Sequence, residues 1–136
     1  MHLVLQTVAK LMLPFLQLYG LYLIFYGHIS PGGGFAGGAV IAAGFILYAL
    51  AHDAELVSRR VADWLNSLAG IILILLGFVG IIRGSAYMFN IPEWRGQGGQ
   101  LFSGGLIPLL ATAIGLKVSS AVVMLYYYLV GEKKNV

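Results

Sequence analysis

Four long apolar runs, at about 3–26, 35–51, 65–82 and 106–130, constrain this chain more than any other feature. A helix needs about 20 apolar residues to cross a bilayer, with roughly 17 to 25 tolerated. In hydrocarbon, only helices and closed barrels satisfy every backbone group, and these runs are continuous rather than alternating, so helices are selected. The second and third runs are short. Their helices are expected to begin in flanking Gly or polar residues, or to cross a thin stretch of bilayer. Composition points the same way. Of 136 residues, 60% are hydrophobic and 10% are charged, against about 25% charged in an ordinary soluble domain. One small soluble core could not hide that much apolar surface. The expected architecture is all-α: an integral membrane four-helix bundle, one transmembrane domain over 1–136, multi-pass in the cell membrane. The first run has no basic segment before it, exceeds the length of a leader's apolar region, and is followed by no small-residue cleavage pattern, so it is read as a span.

The net charge of +3 raises the question of nucleic acid. The basic residues form no stripe and no run longer than two, so no nucleic-acid partner is expected, and the charge is read as a guide to orientation. Lys10, Arg59, Arg60, Lys133 and Lys134 flank one face of a four-span chain, and Arg83 and Arg95 flank the other. Five against two predicts cytoplasmic termini. Lys10 is expected to snorkel along its stem to that interface. There is no Cys, which excludes disulfides, thiolate metal sites and cysteine-ligated clusters within the chain. His2, His28 and His52 have no shared-site spacing, so no metal site is expected. No nucleophile, His/acid cluster or redox ligand set is evident either, so no catalytic residue is assigned.

The most informative string is Gly27-His28-Ile29-Ser30-Pro31-Gly32-Gly33-Gly34-Phe35-Ala36-Gly37-Gly38. Pro31 cannot continue the first helix and biases Ser30 away from helical geometry. The glycines after it permit positive φ and close approach of another surface. Gly34, Gly38 and Ala42 recur every four residues, as do Gly33, Gly37 and Ile41, giving small-residue faces for helix packing. Ala111, Gly115 and Ser119 form a second such row in the last span. Gly32, Gly34 and Gly37 also match G-x-G-x-x-G, with Asp53 near the ribose-binding offset. That fingerprint requires a β-strand before it and a βαβ unit around it, and here two membrane spans enclose it.

The string resembles the signature of the B subunit of multisubunit sodium/proton antiporters of the Mrp or Mnh type, G-H-x-x-P-G-G-G-F-x-G-G, matched in full over 27–38. Chain length, four spans and the polar turn after the second span resemble it too. The stretches 105–110 and 114–118 resemble the B-type subunit of archaeal complexes, among them membrane-bound hydrogenase and related respiratory assemblies. The last span lacks the acid of the F-D-x-G-V stretch found in bacterial B subunits, so no role is carried over from it. The resemblance implies an accessory subunit of a cation/proton antiporter module, partnered by other membrane subunits. Na+ and H+ would be the transported ions, and nickel-iron or iron-sulfur cofactors would sit only on partner chains. A purely architectural subunit and a small homo-oligomeric cation transporter are the alternatives. The second of these would want a carboxylate inside the membrane, and none of the five acids lies within an apolar run.

Candidate ion-path or gating residues are His28, Ser30, Pro31, Gly32, Gly33, Gly34, Phe35 and Lys117. Gly37, Gly38, Ala111, Gly115 and Ser119 are the helix-packing set. A charge at mid-span costs about 2.5–3.5 kcal/mol on insertion scales. Lys117 therefore needs a counter-charge or water, either as a relay or gate or as an interchain ion pair that fixes assembly. His28 is read as a proton shuttle or as a hydrogen bond within the turn. Phe35 is read as a packing plug or an apolar gate. Gln6, Thr7 and Gln17 are expected to donate hydrogen bonds between helices rather than to ligate sodium. Ser30, Thr112, Ser119, Ser120 and carbonyls at 32–34 are the oxygens a hard cation such as sodium would seek. Asp53, Glu55, Arg59 and Arg60 are read as a solvated, salt-bridged turn.

Overall fold

The structure is a computed structural model that describes residues 2–27, 32–82 and 105–134, with the last helix's side chains described as far as Gly131. Four helices follow one another: α1 (His2–Phe25), α2 (Gly34–His52), α3 (Arg59–Ile82) and α4 (Ile107–Lys134). All four are long and apolar enough to cross a membrane, and there is no strand among the described residues. The two short apolar runs are completed as their flanks suggested. α2 begins at Gly34, and α3 takes in the polar residues from Arg59 onward.

Local chemistry sets the ends. Gly32 (φ 143°) and Gly33 (φ 100°) lead into α2, in a region of the map closed to side-chain-bearing residues. α2 ends on Asp53 in the left-handed conformation, φ 47°, which Asp tolerates better than most residues. Ser58 then caps α3, its Oγ accepting the Val61 N–H at 3.4 Å. Pro108 falls in the first turn of α4, where a missing N–H costs little. Pro14 lies inside α1, so the carbonyl one turn before it loses its usual donor.

Contacts give the directions. Gln17 and Gly20 meet Ile41, while Ile24 meets Gly37, so α1 and α2 are antiparallel. Gly34 meets Ala111 and Gly38 meets Gly115, so α2 and α4 are parallel. Arg59 reaches Gly131 and Lys117 reaches Asn66, so α3 and α4 are antiparallel. The start of α1 and the end of α4 thus lie on one face. α4 is the hub and touches the other three helices, whereas α3 touches only α4 among the described residues.

Small residues make up much of the interior. Ala9, Ala42, Ala49, Ala62, Ala69 and Ala113 are buried, while Leu3, Phe15, Leu18, Ile71, Leu75 and Ile82 are exposed. In lipid this arrangement is expected, because close backbone packing holds the helices together and large apolar groups are at home in hydrocarbon. Ala42, Ala49, Val123 and Tyr127 form the core cluster of the α2–α4 seam.

Candidate functional site

The two small-residue rows read from the sequence meet each other. A Cβ on Gly34 would collide with the Ala111 carbonyl oxygen, and one on Gly38 would stand 2.6 Å from the Gly115 carbonyl oxygen. The backbones of α2 and α4 are therefore in contact, and no substituent fits between them. Gly37 belongs to the other row and faces α1, where its Cβ would lie 2.6 Å from the Gly20 carbonyl oxygen. One helix thus uses two glycine faces, one for each neighbour. The turn before α2 is closed by Gly27 packing against Gly33. His28, Ser30 and Pro31 lie outside the described residues.

A cavity of about 300 Å³ opens between α1 and α2 on one side and α3 on the other, with α4 as its floor. Ile24, Phe45 and Leu65 supply apolar wall, and Gln17, Thr112, Ser119 and Ser120 supply the polar atoms. Thr112 Oγ1 donates to the Pro108 carbonyl at 2.8 Å, and Ser119 Oγ to the Leu116 carbonyl at 3.1 Å. Ser120 Oγ donates to the Leu116 carbonyl at 2.7 Å. Gln17 Nε2 donates across to the Ile41 carbonyl on α2 at 3.2 Å, the interhelical bond expected of it, whereas Thr7 Oγ1 donates to the Leu3 carbonyl of its own helix at 2.9 Å instead. With their hydroxyl protons spent on main-chain carbonyls, Thr112, Ser119 and Ser120 keep only acceptor lone pairs to offer, while Gln17 keeps its side-chain oxygen and one N–H. Such a set suits a cation better than an anion. The first turn of α2 abuts one end of the cavity. The Gly34 carbonyl oxygen comes within 3.4 Å of where a Gly115 Cβ would be, and Gly115 and Ile24 both line the cavity.

Two candidates stand apart from this cavity. Phe35 is 70% exposed, so among the described residues it plugs nothing. Lys117 faces α3, where its Nζ donates to the Asn66 carbonyl at 3.2 Å. That intrachain partner was not evident in the sequence. It is neutral and leaves the charge unbalanced. Gly70 makes the slot, since a Cβ there would stand 3.3 Å from Lys117 Nζ. At the polar turn, Arg59 Nε and Glu55 Oε1 pair at 3.1 Å with both side chains well exposed, a contact worth at most about 1 kcal/mol. Among the described residues no group of three or more His, Asp or Glu could hold a metal ion.

Gly20, Gly44, Asn66 and Gly70 are contact residues that the sequence reading passed over. Gly44 lies under Gln17, with a Cβ position 2.9 Å from Gln17 Nε2. The available signal was a pairing of kinds. Gln17 and Lys117 each have a glycine opposite, three or four residues beyond the carbonyl they bind.

Comparison with known proteins follows this geometry. Residues 4–124 match the model of a domain related to the MnhB subunit of the Na+/H+ antiporter. The chain is 35% identical over 122 residues to an uncharacterized protein of Methanocaldococcus jannaschii, covering 84% of this chain and 47% of that one. It is 36% identical over 90 residues to a Staphylococcus haemolyticus protein that carries the name antiporter subunit mnhB2, covering 64% of each. Among solved structures it is similar to a chain of the membrane-bound sulfane sulfur reductase, an archaeal respiratory membrane complex. The TM-score is 0.78 and the identity 38%, over 89% of this chain and 54% of that one. The chain thus spans about half the length of the archaeal proteins it matches.

Proposed function

The chain belongs to the family of domains related to the MnhB subunit of Na+/H+ antiporters, and on that premise we propose that it is an accessory membrane subunit of a multisubunit cation/proton antiporter module. Its partners are other membrane subunits, and the ions the assembly moves are Na+ and H+. The likeness to a chain of a respiratory complex supports a module joined to redox chemistry, with nickel-iron or iron-sulfur centres carried by partner chains. The charge count places both termini in the cytoplasm.

The observation that carries the reading is the cavity. In a membrane, irregular or polar groups persist where they line an ion route. The wall is mostly apolar, and Gln17, Thr112, Ser119 and Ser120 are the acceptor-bearing side chains along it. In this reading the cavity is part of the sodium route. Gly32, Gly33 and Gly34 let the backbone close upon α4 beside the cavity, and the ion-path assignment of His28, Ser30 and Pro31 rests on the sequence string alone. Gly37, Gly38, Ala111, Gly115 and Ser119 hold the wall in place.

The test is Na+-driven proton movement in vesicles containing the complex purified through a C-terminal tag. Thr112→Val and Ser120→Ala keep shape and remove lone pairs. The half-saturating Na+ concentration is expected to rise at least threefold with complex yield unchanged. An unaltered Na+ dependence would leave the chain an architectural subunit. Recovery of a lone homo-oligomer that moves cations would replace the reading altogether.

A further inference from the structure

α4 carries an open face on the side away from the cavity. α2 and α3 both pack on α4 but do not touch each other. α2 covers Ala111, Gly115 and Val118 and abuts Ile114, and α3 lies against Lys117 through Asn66 and Gly70. From the edge of one seam to the edge of the other runs a stripe of α4 at three- and four-residue spacing: Ile114, Lys117, Ala121, Leu125 and Tyr128. Ile114 and Tyr128 are exposed, and Lys117 and Ala121 are half-buried. The stripe forms the floor of a furrow, with one charge on it at mid-span.

That charge is poorly provided for. An ammonium has three donors, and Lys117 uses one, on a carbonyl that α3 already needs for its own ladder. Beside it the Asn66 side-chain oxygen is buried with no donor. A lone neutral acceptor does not offset the cost of a cation in hydrocarbon, whereas a carboxylate does. Snorkelling is not available, because the side chain is turned inward against Gly70 rather than along the helix toward an interface. A second copy of this chain cannot supply the carboxylate. Asp53 and Glu55 lie in the polar turn and Asp63 in the first turns of α3, while Glu93 and Glu132 fall outside the apolar runs.

We infer that the furrow between α2 and α3 seats a transmembrane helix of a different subunit, and that this helix carries an Asp or Glu at mid-membrane that pairs with Lys117. This deepens the proposed role in a heteromeric complex and rests on it. Charge complementarity chooses the occupant. A lipid chain would fill the furrow but leave the ammonium unmet, and an all-apolar helix would do the same. The half-buried Ala121, one turn from Lys117, leaves room for a helix to approach closely.

The experiment keeps Lys117 in place. A benzophenone amino acid is introduced at Ala121 in the C-terminally tagged chain, irradiated in native membranes, and the crosslinked peptide is sequenced. The expected product is a single partner subunit, joined within an apolar run of about 20 residues that contains one Asp or Glu. Phe15, exposed on α1, is the control position and should not give that peptide. In the second arm, Lys117→Met should lower recovery of that partner several-fold. Lys117→Glu should lower it further, and should be restored by a Lys in place of the identified acid. Crosslinks at position 121 to lipid alone, or to a helix without a carboxylate, overturn the inference while leaving the subunit reading intact. Failure of any antiporter-type subunit to co-purify overturns the subunit reading itself. Wild-type recovery of the partner in both Lys117 variants overturns the ion pair.

Discussion

At the residue scale the structure separates two demands that both require glycine. Gly38 lacks space: a methyl would enter the Gly115 backbone, which cannot move aside without parting two helices. Gly33 has nothing within 4 Å of its Cβ position, yet its φ of 100° strains any L-side chain. Gly70 meets neither demand, because what lies opposite is the flexible end of Lys117. Gly38→Ala is therefore expected to cost about 1–3 kcal/mol by overpacking, and Gly33→Ala about 1–3 kcal/mol by backbone strain alone. Gly70→Ala should fall within about 0.5 kcal/mol of wild type. Thermal unfolding of the three variants in one detergent checks the order. Equal losses at Gly38 and Gly70 would mean that the α2–α4 backbones are not in contact. Lys117 makes a different point. Its residue type and position announced a need for a partner, but no sequence pattern could name a main-chain carbonyl, since every residue has one.

Among the helices, legibility followed the kind of signal. The four spans and the two small-residue rows could be read because apolar length and four-residue spacing are local properties of a helix. That Gly34 and Gly38 face Ala111 and Gly115, rather than each row meeting lipid or a partner, depends on chain topology and became visible only in the fold. The start of α3 at Arg59 is fixed by Ser58, whose hydroxyl accepts from the first turn. Removing that cap by Ser58→Ala should lower stability by about 0.5–1 kcal/mol, because its bond is long at 3.4 Å. The α1–α2 staple is testable in the same way. Gln17→Leu deletes the bond to the Ile41 carbonyl and should cost about 0.6 kcal/mol in the bilayer, read from reversible unfolding in bicelles. A loss several times larger would indicate that Gln17 also holds water or an ion in the cavity.

Across the whole molecule, one helix is held differently from the rest. α1, α2 and α4 enclose one another, while α3 has a single neighbour and most of its large side chains face outward. Local opening should follow that asymmetry. Hydrogen exchange in nanodiscs is expected to show α3 amides exchanging ahead of those in α2. Matched protection of the two helices would show that α3 is held as firmly as the others. The same arrangement dictates an order of synthesis. α1 and α2 can pair as soon as both have left the ribosome, but α2's second glycine face and the whole of α3 must wait for α4. Until then Gly34 and Gly38 are bare and α3 has nothing in the chain to hold. A ribosome that stalls before Ile107 would thus leave in the membrane an α1–α2 hairpin with one bare glycine face and a third helix with nothing to lean on.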